Sequence, residues 1–152
     1  MKARILLTLT LVTTLAACGG NIAAPATNVA GSDEGAAKLI TAVPSAEDQR
    51  QLAEAGAGVF KKYGCGSCHS RSLQREGLGG PPLGDAAKRH LTRQTGDELA
   101  ARRWFVAHIR NPAGHPGSFH GDGAYAAVKM PAYKQITDEE MRALVEYLMS
   151  LR

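Results

Sequence analysis

The chain has 152 residues, of which 44% are hydrophobic, enough for one small domain with flanking tails but not for two domains. Its formal net charge is +4, and the basic residues are scattered along the chain with no aromatic residues interleaved among them. Because a nucleic-acid interface needs a clustered basic surface, this charge pattern argues against a nucleic-acid partner.

The N-terminus has the pattern of an export signal. Lys2 and Arg4 precede an apolar run that is too short to remain as a membrane-spanning helix. The run ends in LAAC, which resembles the bacterial lipobox, in which the cysteine is lipidated and the signal is cut just before it. We therefore expect 1–17 to be a lipoprotein signal peptide and Cys18 to be the lipidated first residue, with an ordinary secretory signal as the alternative. Cleavage leaves 16 basic and 14 acidic residues, a formal charge of +2.

The next segment, 18–46, is predicted to be the lipidated N-terminus followed by a flexible tether. Ala, Gly, Pro, Thr and Ser dominate it, and no apolar period is sustained. A flexible segment of this length has an average span on the order of 30 Å. Such a tether would let a soluble head sample a wide zone above a membrane.

The folded domain, predicted over 47–152, begins with a helix. Ser45 can cap its first turn and acidic residues follow at once, as is typical of a helix start. This helix leads into the motif CGSCH at 65–69. A second helix is predicted over 97–109, where apolar residues recur near helical spacing until Pro112 ends the pattern.

The last predicted helix has the clearest signals. Thr137 and Glu140 form a capping box, and apolar residues then recur on one stripe to the C-terminus. Between the helices the chain is rich in Gly and Pro, at 77–84 and at 112–123, and no alternation typical of strands persists. The predicted fold class is therefore all-α with long loops.

The motif CGSCH has two interpretations that do not involve haem. A zinc site needs four ligands, usually two pairs of Cys or His, and the nearest candidates for a second pair are His115 and His120 in a Pro/Gly loop. A thioredoxin-like redox pair needs a βαβ setting, and no strand pattern surrounds this motif. Both interpretations lack the context that they require.

A c-type haem explains the motif with fewer assumptions. Cys65 and Cys68 would each bond one haem vinyl group, and the adjacent His69 would then reach the iron from one face. This interpretation also accounts for all three cysteines, one for lipid and two for haem. One covalently attached haem c is therefore the predicted cofactor.

The second axial ligand has several candidates. Met130 lies in the sequence KMPAY, outside any periodic segment, and the following proline stiffens its loop. Met141 and Met149 lie on the stripe of the last helix and are predicted to be core residues. We therefore favour Met130, with a histidine or an open site as the alternatives. The histidines, which we predict to face solvent on loops or helix surfaces, are His90, His108, His115 and His120.

From about residue 50 to 152 the chain resembles a class I cytochrome c, the small monohaem fold of mitochondrial and bacterial electron carriers. Gly56 and Phe60 resemble the glycine and aromatic of the first helix of that family, and Leu144 and Tyr147 resemble the pair on its last helix. In the family these two helices cross. The resemblance therefore implies a helical fold in which the N- and C-terminal helices cross and the chain wraps around one haem.

The resemblance also implies roles for residues around the haem. GPPL, which begins at Gly80, is similar to the turn of the family in which a proline carbonyl, here that of Pro81, accepts a hydrogen bond from the histidine ligand. Tyr133 follows the methionine as an aromatic expected at the haem edge. Trp104 resembles a tryptophan that hydrogen-bonds a haem propionate. The long, glycine-rich segment 112–129 departs from the family pattern and leaves the shape of the methionine side open.

The predicted function is electron transfer and not enzymatic catalysis, because two strong axial donors leave the iron no vacant position for a substrate. The favoured hypothesis is a tethered shuttle between respiratory or photosynthetic membrane complexes, from a quinol-oxidising complex to a terminal oxidase or reductase. One alternative is a fixed subunit of such a complex, and another is a haem sensor or peroxidase with an open distal site. Residues predicted around the exposed haem edge are Lys61, Lys62, Gly64, Ser67, Lys129 and Lys134.

Overall fold

The fold was analysed in a computed structural model that describes residues 34–119, 123–125 and 127–151. This part of the chain is helical and contains no strand, which confirms the all-α class. The helices are α1 (Glu34–Leu39), α2 (Ala46–Lys62), α3 (Ala86–Arg93), α4 (Glu98–Arg110) and α5 (Asp138–Ser150), with a 3-10 turn at Cys65–Ser67. The predicted signal peptide and Cys18 lie outside the described residues.

The predicted tether is wrong over its described part, because α1 belongs to the folded domain. Leu39 and Ile40 are buried at the end of α1, which packs against α4. The Nε of Arg103 donates to the Ile40 carbonyl at 2.8 Å, and the Nε of Arg142 donates to the Leu39 carbonyl at 3.2 Å. Six residues are too few for a helical period to emerge from an Ala-rich background, so composition alone missed this helix. The part of the tether before Glu34 stays a prediction.

The three predicted helices are confirmed, as are the caps predicted for the first and the last of them, and the middle helix has a cap as well. The Ser45 hydroxyl accepts from the backbone N–H of Asp48 and starts α2. The carboxylate of Asp97 accepts from the Ala100 N–H at the start of α4. The capping box of α5 is complete, since the Thr137 hydroxyl and the Glu140 carboxylate each accept from the backbone N–H of the other residue. These local bonds satisfy N–H groups that a helix end otherwise leaves unpaired.

Helices α2 and α5 cross at Gly56. A Cβ built at Gly56 would lie 2.0 Å from the Ala143 carbonyl oxygen and 2.7 Å from the Tyr147 Cβ, so only glycine permits this approach. The rings of Phe60 and Tyr147 meet beside the crossing with their centroids 5.3 Å apart. The crossing of the first and last helices that the resemblance implied is therefore present, with α1 preceding it in the chain.

Helix α3 was not predicted, and it changes the position of one histidine. Its buried face consists of Ala86, Ala87 and His90, a set with no large apolar residue to show a helical stripe. His90 is only 5% exposed. The prediction that His90 faces solvent is therefore wrong.

Met141 and Met149 are 0% and 3% exposed, which confirms that they are core residues. Between α4 and α5 the core also holds an ion pair that the hydrophobic pattern did not reveal. The Nε of Arg102 lies 2.7 Å from the Glu146 Oε1, and both side chains are at least 97% buried. This pair fixes the position of α4 relative to α5.

A second polar contact joins the end of α2 to the start of α5. The Glu140 carboxylate accepts from the Lys62 ammonium at 2.5 Å, from the Tyr63 hydroxyl at 2.8 Å and from the Thr137 N–H at 3.1 Å. The hydrogen bond from Lys62, followed by those from Tyr63 and Thr137, lowers the pKa of Glu140 to about 2 from an ordinary 4.5. The carboxylate is thus stabilised in its charged form.

We expect the contribution of Glu140 to stability to be present above pH 4.5 and to disappear as the pH falls through about 2, because the pKa of this carboxyl is lower in the folded state than in the unfolded state. Denaturant unfolding of the wild-type protein and of Glu140→Gln should therefore give stabilities that differ at neutral pH and converge toward pH 2. Glu139→Gln, on the exposed face of the same turn, is the control and should leave the pH profile unchanged. A constant gap between wild type and Glu140→Gln across this range would contradict the prediction.

Candidate haem site

The end of α2 positions the CGSCH motif at the wall of a cavity. Gly64 follows α2 with φ of 66°, a left-handed conformation that glycine adopts without strain. The chain then turns through Cys65–Ser67, and the His69 N–H donates to the Cys65 carbonyl at 3.1 Å. This short turn places both thiols and the imidazole beside one another.

The two cysteines of the motif have different surroundings. Cys65 is half-buried and Cys68 is exposed, and no disulfide joins them. Burial raises the pKa of the Cys65 thiol, which disfavours the thiolate that a reactive redox pair needs. Within the described ranges, no three His, Cys, Asp or Glu side chains come together as a metal cluster. The redox-pair and zinc interpretations therefore gain no support.

His69 is held in one orientation by the turn that the resemblance singled out. Its Nδ1 lies 2.8 Å from the Pro81 carbonyl oxygen. A carbonyl only accepts, so Nδ1 carries the proton and Nε2 keeps the free lone pair that a metal ligand uses. Burial lowers the pKa of His69, while the Pro81 carbonyl opposes that effect, so the ring is neutral at neutral pH. The Gly80 N–H donates to the Cys68 carbonyl at 2.7 Å and fastens the turn to the motif.

A largely apolar cavity opens beside these groups. Its volume, which includes space open to solvent, is about 680 Å³, and a neighbouring cavity of about 520 Å³ shares Cys65, His69, Pro81, Met130 and Tyr133 with it. The apolar side chains that line the larger cavity are Phe60, Leu83, Ala86, Trp104, Phe105, Ile109, Phe119, Leu144 and Leu148. Cys68 borders the smaller one. The predicted ligands and both thiols thus face one continuous space.

Met130 reaches this space from a loop that is tied to α4. The Tyr133 N–H donates to the Ile109 carbonyl at 3.0 Å, which anchors the segment MPAY next to the end of α4. The ring of Tyr133 meets that of Tyr63 edge-on at 6.3 Å. Met130 and Tyr133 are both half-buried and line both cavities. The structure therefore brings Met130 together with His69, and Tyr133 beside them.

Trp104 lies on the cavity wall and stacks with two histidines. It is 8% exposed, and its ring centroid lies 3.6 Å from that of His90 and 4.7 Å from that of His108. His108 is part-buried, so the prediction that it faces solvent is wrong as well. The sequence contained a signal for the position of His108, because Trp104 and His108 are four residues apart and so share a helix face. His115 is half-buried, and His120 lies outside the described residues. The role of Trp104 toward a propionate stays a prediction.

The polar end of the cavity is formed by α3, which sequence reasoning missed. The Nδ1 of His90 and the Nε of Arg89 are buried without a hydrogen-bond partner, and both residues line the cavity. Burial, followed by the charge of Arg93, lowers the pKa of His90 to about 3. Buried polar atoms normally have a hydrogen-bond partner, so these two atoms need one from a bound group. Apolar walls, two thiols, a neutral imidazole and this polar end together fit a haem with its two carboxylates.

A helical fold that closes an apolar cavity beside CGSCH and a loop methionine defines a c-type haem protein. The profile of the cytochrome c family matches residues 53–152. The chain is also 31% identical to cytochrome c-551 of Stutzerimonas stutzeri over 104 residues, which are 68% of this chain and 84% of that protein. No solved structure gives a significant match. The chain belongs to the cytochrome c family.

Membership in this family establishes the cofactor and the general activity. The cofactor is one covalently bound haem c, and the activity is electron transfer. Among the residues that the structure describes, no helix combines the length and the apolar character needed to cross a membrane.

We expect Gly80→Ala to disturb the His69 ring, because the added Cβ would lie 2.6 Å from the His69 Cε1 and 2.8 Å from the Cys68 carbonyl oxygen. Such overpacking should lower the free energy of unfolding of the holoprotein by about 1–3 kcal/mol and alter the absorption spectrum of the haem. Gly79→Ala is the matched control, since its Cβ would meet only Val128 methyl groups at 3.5 Å, an ordinary contact. Equal stabilities and spectra for the two variants would contradict the prediction.

Proposed function

We propose that this chain is an exported, membrane-tethered monohaem cytochrome that carries single electrons between membrane complexes. Cys65 and Cys68 attach the haem, and His69 and Met130 are its axial ligands. The observation that carries the proposal is that these four side chains border one continuous apolar space, although the CGSCH turn and the Met130 loop are far apart in the chain. When bound in this space, the haem supplies an iron that accepts and gives up one electron.

The residues of the chain set the conditions for that transfer. The Pro81 carbonyl holds the His69 Nδ1–H at 2.8 Å and so keeps the Nε2 lone pair available as a strong donor. A thioether from Met130 on the other side favours the reduced state of the iron, as does the apolar wall, so a high potential is expected. With both axial positions filled by protein, a substrate finds no site, which supports a carrier and not an enzyme.

Electrons would pass where the site meets solvent, at the exposed Cys68. The side chains of Lys61, Lys129 and Lys134, which the sequence predicts around this edge, are exposed, and no ion pair is seen for them among the described residues. The charge of Lys62, in contrast, is engaged by Glu140 at 2.5 Å. The three free lysines can steer an acidic surface of a redox partner. The proposed partners are a quinol-oxidising complex as donor and a terminal oxidase or reductase as acceptor.

The membrane tether is inferred from the N-terminal sequence. The segment LAAC at 15–18 supports lipidation of Cys18, and three acyl chains exceed the two signals needed for stable anchoring, at about 0.8 kcal/mol per buried methylene. The location that follows is the periplasmic or outer face of a bacterial membrane. Cys18→Ala should release the holoprotein into the soluble fraction. Retention of this variant in the membrane would show that something other than lipid on Cys18 holds it.

The ligand set is tested by the optical spectrum of the purified holoprotein, oxidised and reduced, with Met130→Ala beside it. The weak long-wavelength band of thioether-ligated ferric haem should be present in the wild type and absent in Met130→Ala. Met149→Leu is the control, because Met149 is 3% exposed in the core and should not affect the band.

Two results would contradict the proposal. If Met130→Ala kept the band, another residue would be the distal ligand. If the protein carried no covalent haem in a host that attaches haem to CxxCH motifs, the assignment of Cys65, Cys68 and His69 would be wrong.

A further inference from the structure

A second histidine on the cavity wall is oriented, like His69, by a hydrogen bond between its Nδ1 and a backbone carbonyl. The Nδ1 of His108 lies 2.6 Å from the His115 carbonyl oxygen, just as the His69 Nδ1 lies 2.8 Å from that of Pro81. Because a carbonyl only accepts, Nδ1 carries the proton in both rings and Nε2 has the free lone pair. Both histidines border the same 680 Å³ cavity. The chain therefore presents two imidazoles in the tautomer that metals bind.

His108 is linked through the backbone to the loop that carries Met130. It is next to Ile109, whose carbonyl accepts from the Tyr133 N–H at 3.0 Å and so anchors this loop. Both His108 and Met130 line the cavity. The His108 ring is also fixed by its stacking on Trp104 at 4.7 Å with the planes 14° apart. Met130 is on a loop, whereas His108 is on a helix, so His108 has the more rigid support.

Burial keeps the imidazole of His108 neutral. It is the main cause that lowers the pKa of His108, and the His115 carbonyl opposes it. A neutral imidazole that lines the same cavity as His69 is a competent nitrogen donor.

We propose that His108 is a second nitrogen donor for the haem iron, which would bind through Nε2 if Met130 were withdrawn. This inference rests on the proposed function, since it assumes that His69 is an iron ligand. It has two consequences for the protein. The distal position stays closed to small ligands when the loop moves, and the carrier has a second ligation state of lower potential, because an imidazole favours reduced iron less than a thioether does.

The test uses Met130→Leu, which removes the thioether and keeps the side-chain volume. With His108 as replacement ligand, the ferric haem of this variant stays low-spin and six-coordinate although the thioether band is lost, and the ferrous haem does not bind carbon monoxide. Adding His108→Phe, which retains a ring against Trp104, should open the site, so that the double variant is high-spin when ferric and binds carbon monoxide when ferrous.

Two control variants separate ligation from folding and from other histidines. His108→Phe alone should keep the thioether band, which shows that the fold and the Met130 ligand are intact. Met130→Leu with His115→Ala should remain low-spin, because only the backbone carbonyl of His115 takes part. If Met130→Leu does not accumulate, Met130→Ala gives the same comparison, since attachment of the haem needs only the cysteines.

The inference is wrong if Met130→Leu is high-spin and binds carbon monoxide, because His108 then does not reach the iron. It is also wrong if the double variant with His108→Phe remains low-spin, because another residue is then the replacement ligand. Both results leave the proposed function standing. A protein with no covalent haem would instead refute the proposed function itself.

Discussion

Gly56→Ala is expected to destabilise the holoprotein by about 3 kcal/mol or more, because overpacking against backbone cannot be relieved by a side-chain rotation. The added Cβ would lie 2.0 Å from the Ala143 carbonyl oxygen and 2.6 Å from its carbon. Helices α2 and α5 would have to move apart, and that movement would separate the rings of Phe60 and Tyr147 beside the crossing. Chemical denaturation followed by helical circular dichroism measures the loss.

Gly58→Ala, two residues away on the same helix, is the matched control. A Cβ there meets nothing within 4 Å, and the residue is exposed. Replacing an unconstrained glycine inside a helix with alanine should stabilise the protein by about 0.5–1 kcal/mol. The two substitutions are chemically identical, so their opposite signs isolate the contact between the helices. Equal effects at both positions would show that Gly56 matters only through helix propensity.

The sequence could reveal those helices of the fold that have local start signals. Helices α2, α4 and α5 carry local start signals at Ser45, Asp97 and Thr137, and such signals involve residues within one turn of each other. Helices α1 and α3 are short and bury mainly alanines, so they have no period to recognise. Their position depends on tertiary contacts, such as the bond from Arg103 to the Ile40 carbonyl, which no local pattern encodes.

The residues of the candidate site likewise divide into those that could be located from the sequence and those that could not. Cys65, Cys68 and His69 are contiguous, and the turn containing Pro81 and the loop containing Met130 have short motifs, so all could be located from the sequence. His90 could not, because a lone histidine on a helix has the same pattern whether it faces solvent or stacks on Trp104. The position of His108 was open to prediction only through its four-residue spacing from Trp104 on one helix. The cavity is assembled from α2, α3, α4, α5 and the connections between α2 and α3 and between α4 and α5, and its polar end emerges only when these elements are packed together.

Glu146→Leu is the second substitution with a large expected effect. It would leave the Arg102 guanidinium, 1% exposed, without the carboxylate that holds it through bonds of 2.7 and 3.1 Å. Glu98 still accepts from the Arg102 Nη1 through its carboxylate at 3.0 Å and its backbone carbonyl at 3.1 Å, but its side chain is 44% exposed, so it compensates only in part. Breaking a buried pair by removing one partner typically costs about 3–5 kcal/mol, and we expect a loss in that range.

Removing both charges should be far less harmful. In Arg102→Met with Glu146→Leu no buried charge is left unpaired, and the stability should return to within about 1–2 kcal/mol of the wild type. Arg50→Gln removes a pair in which both side chains are more than half exposed, and it should cost less than about 1 kcal/mol. A double variant as unstable as Glu146→Leu would show that the pair stabilises the protein through its own attraction and not by avoiding an unpaired charge.

The same variants show whether the ion pair matters for the haem cavity as well as for stability. Arg102 is on α4, which also carries Trp104 and His108, and Glu146 is on α5 between Leu144 and Leu148, which line the cavity. A hydrophobic replacement can stabilise two helices without fixing their relative position, whereas two hydrogen bonds in a buried pair are directional. We therefore expect the double variant to regain stability but to bind the haem in a less uniform environment, seen as broader proton NMR lines from the haem methyl groups than in the wild type. Equally sharp lines would show that apolar packing alone sets the position of the wall.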